Sequence, residues 1–205
     1  MKLKLLLIIS LFVANTISSQ ELSFNIGTNF SQFNLKNPES FTNTPIQTGT
    51  GSFIEIGYLL PSNKEKLNYI FGLGINEYNA LAGTSANSYR WNTKYLGLRT
   101  GFEYDFLDIN KLQIVPLFGI NFSTIIYGKQ ETNGVVYDIK SNKEFTGIKL
   151  IPYLGLKVKY KINELGYASL SYNHSTTFKP NLSYKEHLTI VTNQIVFGLQ
   201  FNLTK

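Results

Sequence analysis

Side chains able to do acid–base or nucleophilic chemistry are sparse in this chain. His174 and His187 are its two histidines, and it has no cysteine. His174 is followed by Ser175 and Thr176, so an imidazole and, two residues on, a hydroxyl share one face of an extended segment. The nearest carboxylate in sequence is Glu186. A working nucleophile needs a base, and the base needs a third group to orient it; no spacing here supplies that group. Two separated histidines without cysteine make no zinc set, and Gly72-Leu73-Gly74 has the period of a strand, not of a phosphate-binding loop. The expectation is a protein with no catalytic residue, no metal and no cofactor.

Five other charged residues matter because they fall on the polar parity of alternating segments: Glu55, Arg99, Glu103, Lys149 and Lys157. Alternation turns all five toward one interior. The segment carrying Gly72 and Gly74 lies between Glu55 and Arg99, and a larger side chain there would block the way. Two strand spacings amount to about 10 Å, within reach of Arg plus Glu. The pattern predicts a Glu55–Arg99 pair and a weaker Glu103–Lys157 pair. Unpaired charge away from water is expensive, so such pairs either plug the interior or line a polar conduit.

The elements that must position these residues repeat eight times with period two, the mark of strands with two unlike faces. The expected strands are 22–33, 52–60, 67–76, 95–104, 113–123, 148–158, 168–173 and 195–203. Their connectors alternate long and short: 34–50, 61–66, 79–92, 107–111, 128–147, 161–165 and 179–187. Pro116 and Pro152 cannot donate to a ladder and are placed beside bulges. Val135-Val136-Tyr137 can prolong the sheet outward as a hairpin inside the 128–147 connector.

The first 19 residues read as a cleaved export signal: Lys2 and Lys4, then an apolar run, then Ser18-Ser19-Gln20. Residues 20–205 then form one domain. Charged residues make up only 16% of the chain, against a typical share of about 25%. The formal net charge of +6 is scattered, with no basic stripe for nucleic acid. One strand face is Leu, Ile and Phe; the other is mostly Gly, Asn, Ser and Tyr. Small uncharged residues suit the cramped lumen of an eight-stranded barrel, and an apolar outside suits lipid. The expected fold is all-β, an eight-stranded antiparallel up-and-down transmembrane β-barrel, with long connectors outside and short turns in the periplasm. Tyr58, Tyr69, Phe102, Tyr104 and Phe201 would lie at the inner interface, and Phe30, Phe122 and Tyr172 at the outer one.

The stretches Tyr95-Leu96-Gly97-Leu98-Arg99, Tyr104-Asp105-Phe106, Pro116-Leu117-Phe118-Gly119-Ile120-Asn121 and Val196-Phe197-Gly198-Leu199-Gln200-Phe201 resemble the small outer-membrane β-barrels of Bacteroidetes, the PorT-like proteins. A general likeness extends to the OmpX and OmpW type. The resemblance implies insertion by the outer-membrane assembly machinery, which reads an aromatic-rich last strand. Here the chain departs by ending Leu203-Thr204-Lys205. It implies no substrate. The reading is a non-catalytic outer-membrane protein in contact with lipid, with partners met through 34–50 and 128–147. A narrow channel for small solutes is the alternative. An enzyme acting on membrane lipid at His174 comes third, because His-x-Thr only loosely resembles the His-x-Ser pair of outer-membrane lipid A deacylases.

Overall fold

Alternating sequences become strands here because each residue then offers one side chain to lipid and the next to the lumen. The computed structural model describes residues 20–36, 46–62, 66–84, 87–178 and 187–203. The strands are β1 (Glu21–Lys36), β2 (Ile46–Pro61), β3 (Leu67–Gly83), β4 (Ser88–Tyr104), β5 (Leu107–Ile109), β6 (Leu112–Thr132), β7 (Val135–Asp138), β8 (Ile148–Asn163), β9 (Gly166–Thr176) and β10 (His187–Asn202). Eight of them, all but β5 and β7, form a closed antiparallel ring in the order β1-β2-β3-β4-β6-β8-β9-β10, with β10 paired back to β1. β5 and β7 are short additions to β6. The expected signal segment 1–19, residues 37–45 of the first connector and Glu186 lie outside the described residues.

The register fixes the shape of the barrel. Stepping across partners from Glu21 through Leu59, Ile70, Gly101, Gly119, Tyr153, Ser175 and Thr192 returns to β1 at Ser31, ten residues from the start (31 − 21). At about 3.3 Å per residue and about 4.8 Å between strands, that offset tilts the strands by about 40°. Lipid-side residues such as Phe24, Ile56, Leu73, Leu98 and Leu156 are exposed, while their neighbours in sequence face the lumen, buried or half-buried. Aromatic rings gather at the inner rim: Tyr69 and Phe102 at 5.2 Å, Phe102 and Phe118 at 5.2 Å, and Phe24 and Phe201 at 6.2 Å.

Three expectations require correction. Connector 79–92 is mostly strand, because β3 runs to Gly83 and β4 starts at Ser88. Likewise the 128–147 connector shrinks to 139–147, because its first part is the end of β6, an Asn133-Gly134 turn with positive φ at both residues, and β7, the hairpin expected at Val135-Val136-Tyr137. The prolines are not beside bulges: the β6–β8 register runs unbroken from Leu112↔Tyr160 to Thr124↔Ile148, through both. Pro116 instead lies one residue beyond the last β4–β6 pair, Glu103↔Leu117, and Pro152 one residue beyond the last β8–β9 pair, Tyr153↔Ser175. The missing donors face those ladder ends, so little is lost. The register shifts fall elsewhere, between Thr48 and Phe53, Lys94 and Tyr95, and Lys161 and Asn163.

Leu98→Arg tests the outward face at mid-height. The expected loss is about 2–4 kcal/mol in reversible urea unfolding from lipid vesicles; an unchanged midpoint would mean this face does not meet lipid.

Candidate functional site

Among the described residues, polar side chains are concentrated in the lumen, and they are arranged there in layers. The innermost layer, nearest the chain termini, is ionic. Glu103 of β4 is fully buried and forms an ion pair with Lys157 of β8. Lys159, two residues along the same strand, reaches its other oxygen at 3.0 Å. One carboxylate shared by two ammonium groups leaves none of the three without an opposite charge.

The next layer holds Arg99 and Glu55. Arg99 Nη1 lies 3.6 Å from Glu55 Oε1, and the Asn25 amide donates to the same oxygen at 3.0 Å. β3 passes between them, and its Gly72 makes the crossing available: a Cβ there would sit 2.7 Å from the Glu55 carboxyl carbon. On its other side the Arg99 guanidinium stacks over Tyr153, 4.1 Å from the ring centre. Tyr153 in turn needs the glycines it crosses, since its hydroxyl is 2.4 Å from a Cβ at Gly101 and 2.7 Å from one at Gly119.

Above these charges sits a layer of amides. Gln194 donates to Asn29 at 2.7 Å and to Asn76 at 3.3 Å, and Asn173 donates to Gln194 at 3.0 Å. Asn29 also donates to the Glu77 carbonyl at 3.0 Å. The outer mouth is closed by apolar side chains. Phe33 meets Trp91 at 6.3 Å and Phe145 at 6.1 Å, and Tyr78, Tyr95, Ile139 and Ile151 are buried with them. Ile139 and Phe145 come from the segment after β7, which therefore folds back into the mouth.

Of the five candidate charges, the structure brings together Glu55 with Arg99 and Glu103 with Lys157. Lys149 is half-buried and joins neither pair; it donates to the Glu144 carbonyl at 2.5 Å, near the outer rim. Lys159 was missed because the expected strand stopped at 158, although it shares the parity of Lys157. The amide layer was visible as polar parity but not as a network, and nothing in the sequence pattern pointed to the apolar plug. His174 is exposed on the outside, its Nδ1 2.9 Å from Asn193 Oδ1, while Tyr172 donates to that same oxygen at 2.8 Å. Among the described residues no group of three His, Cys, Asp or Glu is placed to hold a metal.

Among the described residues, the lumen holds small cavities. A cavity of about 30 Å³ lies beside Arg99, Asn121 and Tyr153, and one of about 10 Å³ between Glu55, Glu103 and Lys157. The smaller has room for about one water molecule, and neither is a continuous passage.

An eight-stranded barrel with an apolar outer wall and a lumen filled by paired charges defines the outer-membrane class of small barrels. The family model described as outer membrane protein beta-barrel domain matches residues 4–202, and the chain belongs to that family, which places it in the outer membrane of a Gram-negative envelope. Among solved structures it is similar to the outer membrane protein OprG from Pseudomonas aeruginosa, with a TM-score of 0.54 and 10% identity over 92% of this chain and 97% of that one. It is also similar to Neisserial surface protein A, NspA, with a TM-score of 0.53 and 9% identity over 89% of this chain and 97% of that one. Identities this low relate the folds alone. No curated protein sequence matches the chain.

Arg99→Leu leaves Glu55 buried without its cation, so a loss of about 3–5 kcal/mol is expected in urea unfolding. Adding Glu55→Leu should recover part of it. Two losses that simply add would show that the residues do not interact.

Proposed function

We propose that this protein is a non-conducting, non-catalytic barrel whose role is to hold its outer hairpins and connectors as an interaction surface. The observation that carries this reading is the filled lumen: paired charges, an amide layer and an apolar plug occupy the bore in turn. Such an interior serves rigidity better than transport. The strands also run well past the 9–11 residues that suffice to cross a bilayer. β6 is 21 residues long and continues into the β7 hairpin, where Val135, Val136 and Tyr137 are all exposed. Apolar side chains held outward on a stiff hairpin favour contact with another envelope or extracellular protein.

The channel reading would require the plug formed by Phe33, Trp91 and Phe145 to leave the mouth. The lipid-enzyme reading would need a hydroxyl activated by His174, whose Nδ1 is taken up by Asn193. The PorT-like resemblance fits the interaction reading and points toward a partner in envelope secretion. Its motif residues are structural ones: Tyr95 belongs to the plug and Arg99 to the ion pair.

Two measurements test the proposal. In planar bilayers the purified barrel is expected to give no stable conductance steps, and reproducible steps would support the channel instead. A photo-crosslinking residue at Val136 in living cells is expected to capture a protein partner that the same residue at Leu98 does not. Identical adducts at both positions, or none at Val136, would remove the hairpin as the interaction surface.

A further inference from the structure

The outer wall carries its cations unevenly. Tyr104 marks the inner end of β4 on the lipid face, and Phe102, Leu98 and Leu96 lead up from it. The next outward residue is Lys94, ten positions from Tyr104 (104 − 94). At about 3.3 Å per residue and a tilt of about 40°, this is a climb of about 25 Å, the height of the apolar band of such barrels. Lys94 therefore stands where acyl chains give way to headgroups. Around the barrel at this level, β4 and β6 supply the only outward-facing Lys or Arg among the described strand residues.

Lys94 does not stand alone. It lies opposite Tyr127 of β6 in the register, and its ammonium is 6.0 Å from the centre of that ring. Lys129 approaches the same ring at 5.7 Å. The β6 bulge opposite Lys94 and Tyr95 is what turns Tyr127 and Lys129 outward: without the extra residue, Ile126, their parity would be the lumen's. Glu77 of β3 binds Lys94 at 2.7 Å and is itself anchored by the Ser52 backbone amide at 3.1 Å, so Lys94 is held in place. Lys129 has no carboxylate within ion-pair distance among the described residues, and its register partner Asp138 accepts from the Lys140 backbone amide instead, so the Lys129 ammonium stays open to a ligand.

We propose that Lys94, Lys129 and Tyr127 form a binding site for the phosphoryl group of an outer-leaflet glycolipid, with its acyl chains lying along Leu96, Leu98 and Phe122. Two ammonium groups flanking one aromatic ring at the headgroup level match a phosphate above and a hydrocarbon chain below. The proposal rests on the outer-membrane reading and on the long connectors facing outward.

The test uses the mature barrel in detergent and native mass spectrometry with bisphosphorylated lipid A, set against the same lipid with both phosphates removed. The phosphorylated lipid is expected to bind roughly tenfold more tightly or better. The paired substitution Lys94→Gln and Lys129→Gln should erase most of that preference. Lys140→Gln with Lys143→Gln, which removes two exposed cations from the segment after β7, should preserve it. Equal binding of the two lipids, an unaffected Lys94/Lys129 variant, or an equal loss in the Lys140/Lys143 variant would overturn the site. Heat-modifiable migration and outer-membrane fractionation of each protein report separately on the barrel reading, so failure of the lipid site and failure of the membrane assignment are told apart.

Discussion

Closure of the ring through the β1–β10 ladder is the constraint on which the rest of the structure depends. Lipid offers no hydrogen bonds, so a sheet can sit in it only if its first and last strands satisfy each other. Here Glu21 to Lys36 pair with Asn202 to His187 without a register shift. With the strand number and the ten-residue offset set, the bore follows, and it is too narrow to stay both open and dry. Side chains must fill it, and they must satisfy one another while doing so.

The filling uses glycine as much as charge. Arg99 and Glu55 meet only because β3 presents Gly72 between them, and Tyr153 lies over Arg99's neighbours only because Gly101 and Gly119 leave it room. These small residues are what let long ones cross the lumen. The two ionic groups are then stacked along the axis, and the amides of Asn29, Asn76, Asn173 and Gln194 separate them from the apolar mouth. Each layer shields the one beneath from water, which strengthens the ion pairs and raises the cost of losing one partner.

Near the outer boundary the barrel turns its chemistry over. Along the lower strands the outside is apolar and the inside polar. From Tyr78 and Tyr95 outward, the inside is apolar and the outside carries Glu77, Lys94 and Asn92. The reason is the change of solvent: above the lipid the exterior faces water, and the mouth holds a small soluble-type core. A pattern search tuned to apolar-out strands therefore reads these residues as connectors. The outer halves of β3 and β4 were illegible for that reason. Lys159 and the ladder-end positions of the prolines were missed for smaller ones, a strand closed one residue early and a pairing partner that no single strand reveals.

What the sequence by itself determined was local and periodic. Alternation gave the eight strands of the ring and their two unlike faces, the small uncharged composition of one face told which side meets lipid, and parity assigned Glu55, Arg99, Glu103 and Lys157 to the lumen. Turn residues, which interrupt the period wherever they occur, also marked the connectors, but the one read as long at 79–92 shrinks to the short stretch between Gly83 and Ser88. Only the tertiary structure brought Lys159 to the second oxygen of Glu103, since the pairs expected from the pattern, Glu55 with Arg99 and Glu103 with Lys157, left it beyond the end of its strand. It alone seated Ile139 and Phe145 in the mouth, left Lys149 outside the ion pairs, and brought Lys94 and Lys129 to one ring through a bulge. Those outcomes depend on register and barrel offset, which are properties of the closed ring and are written in no single strand.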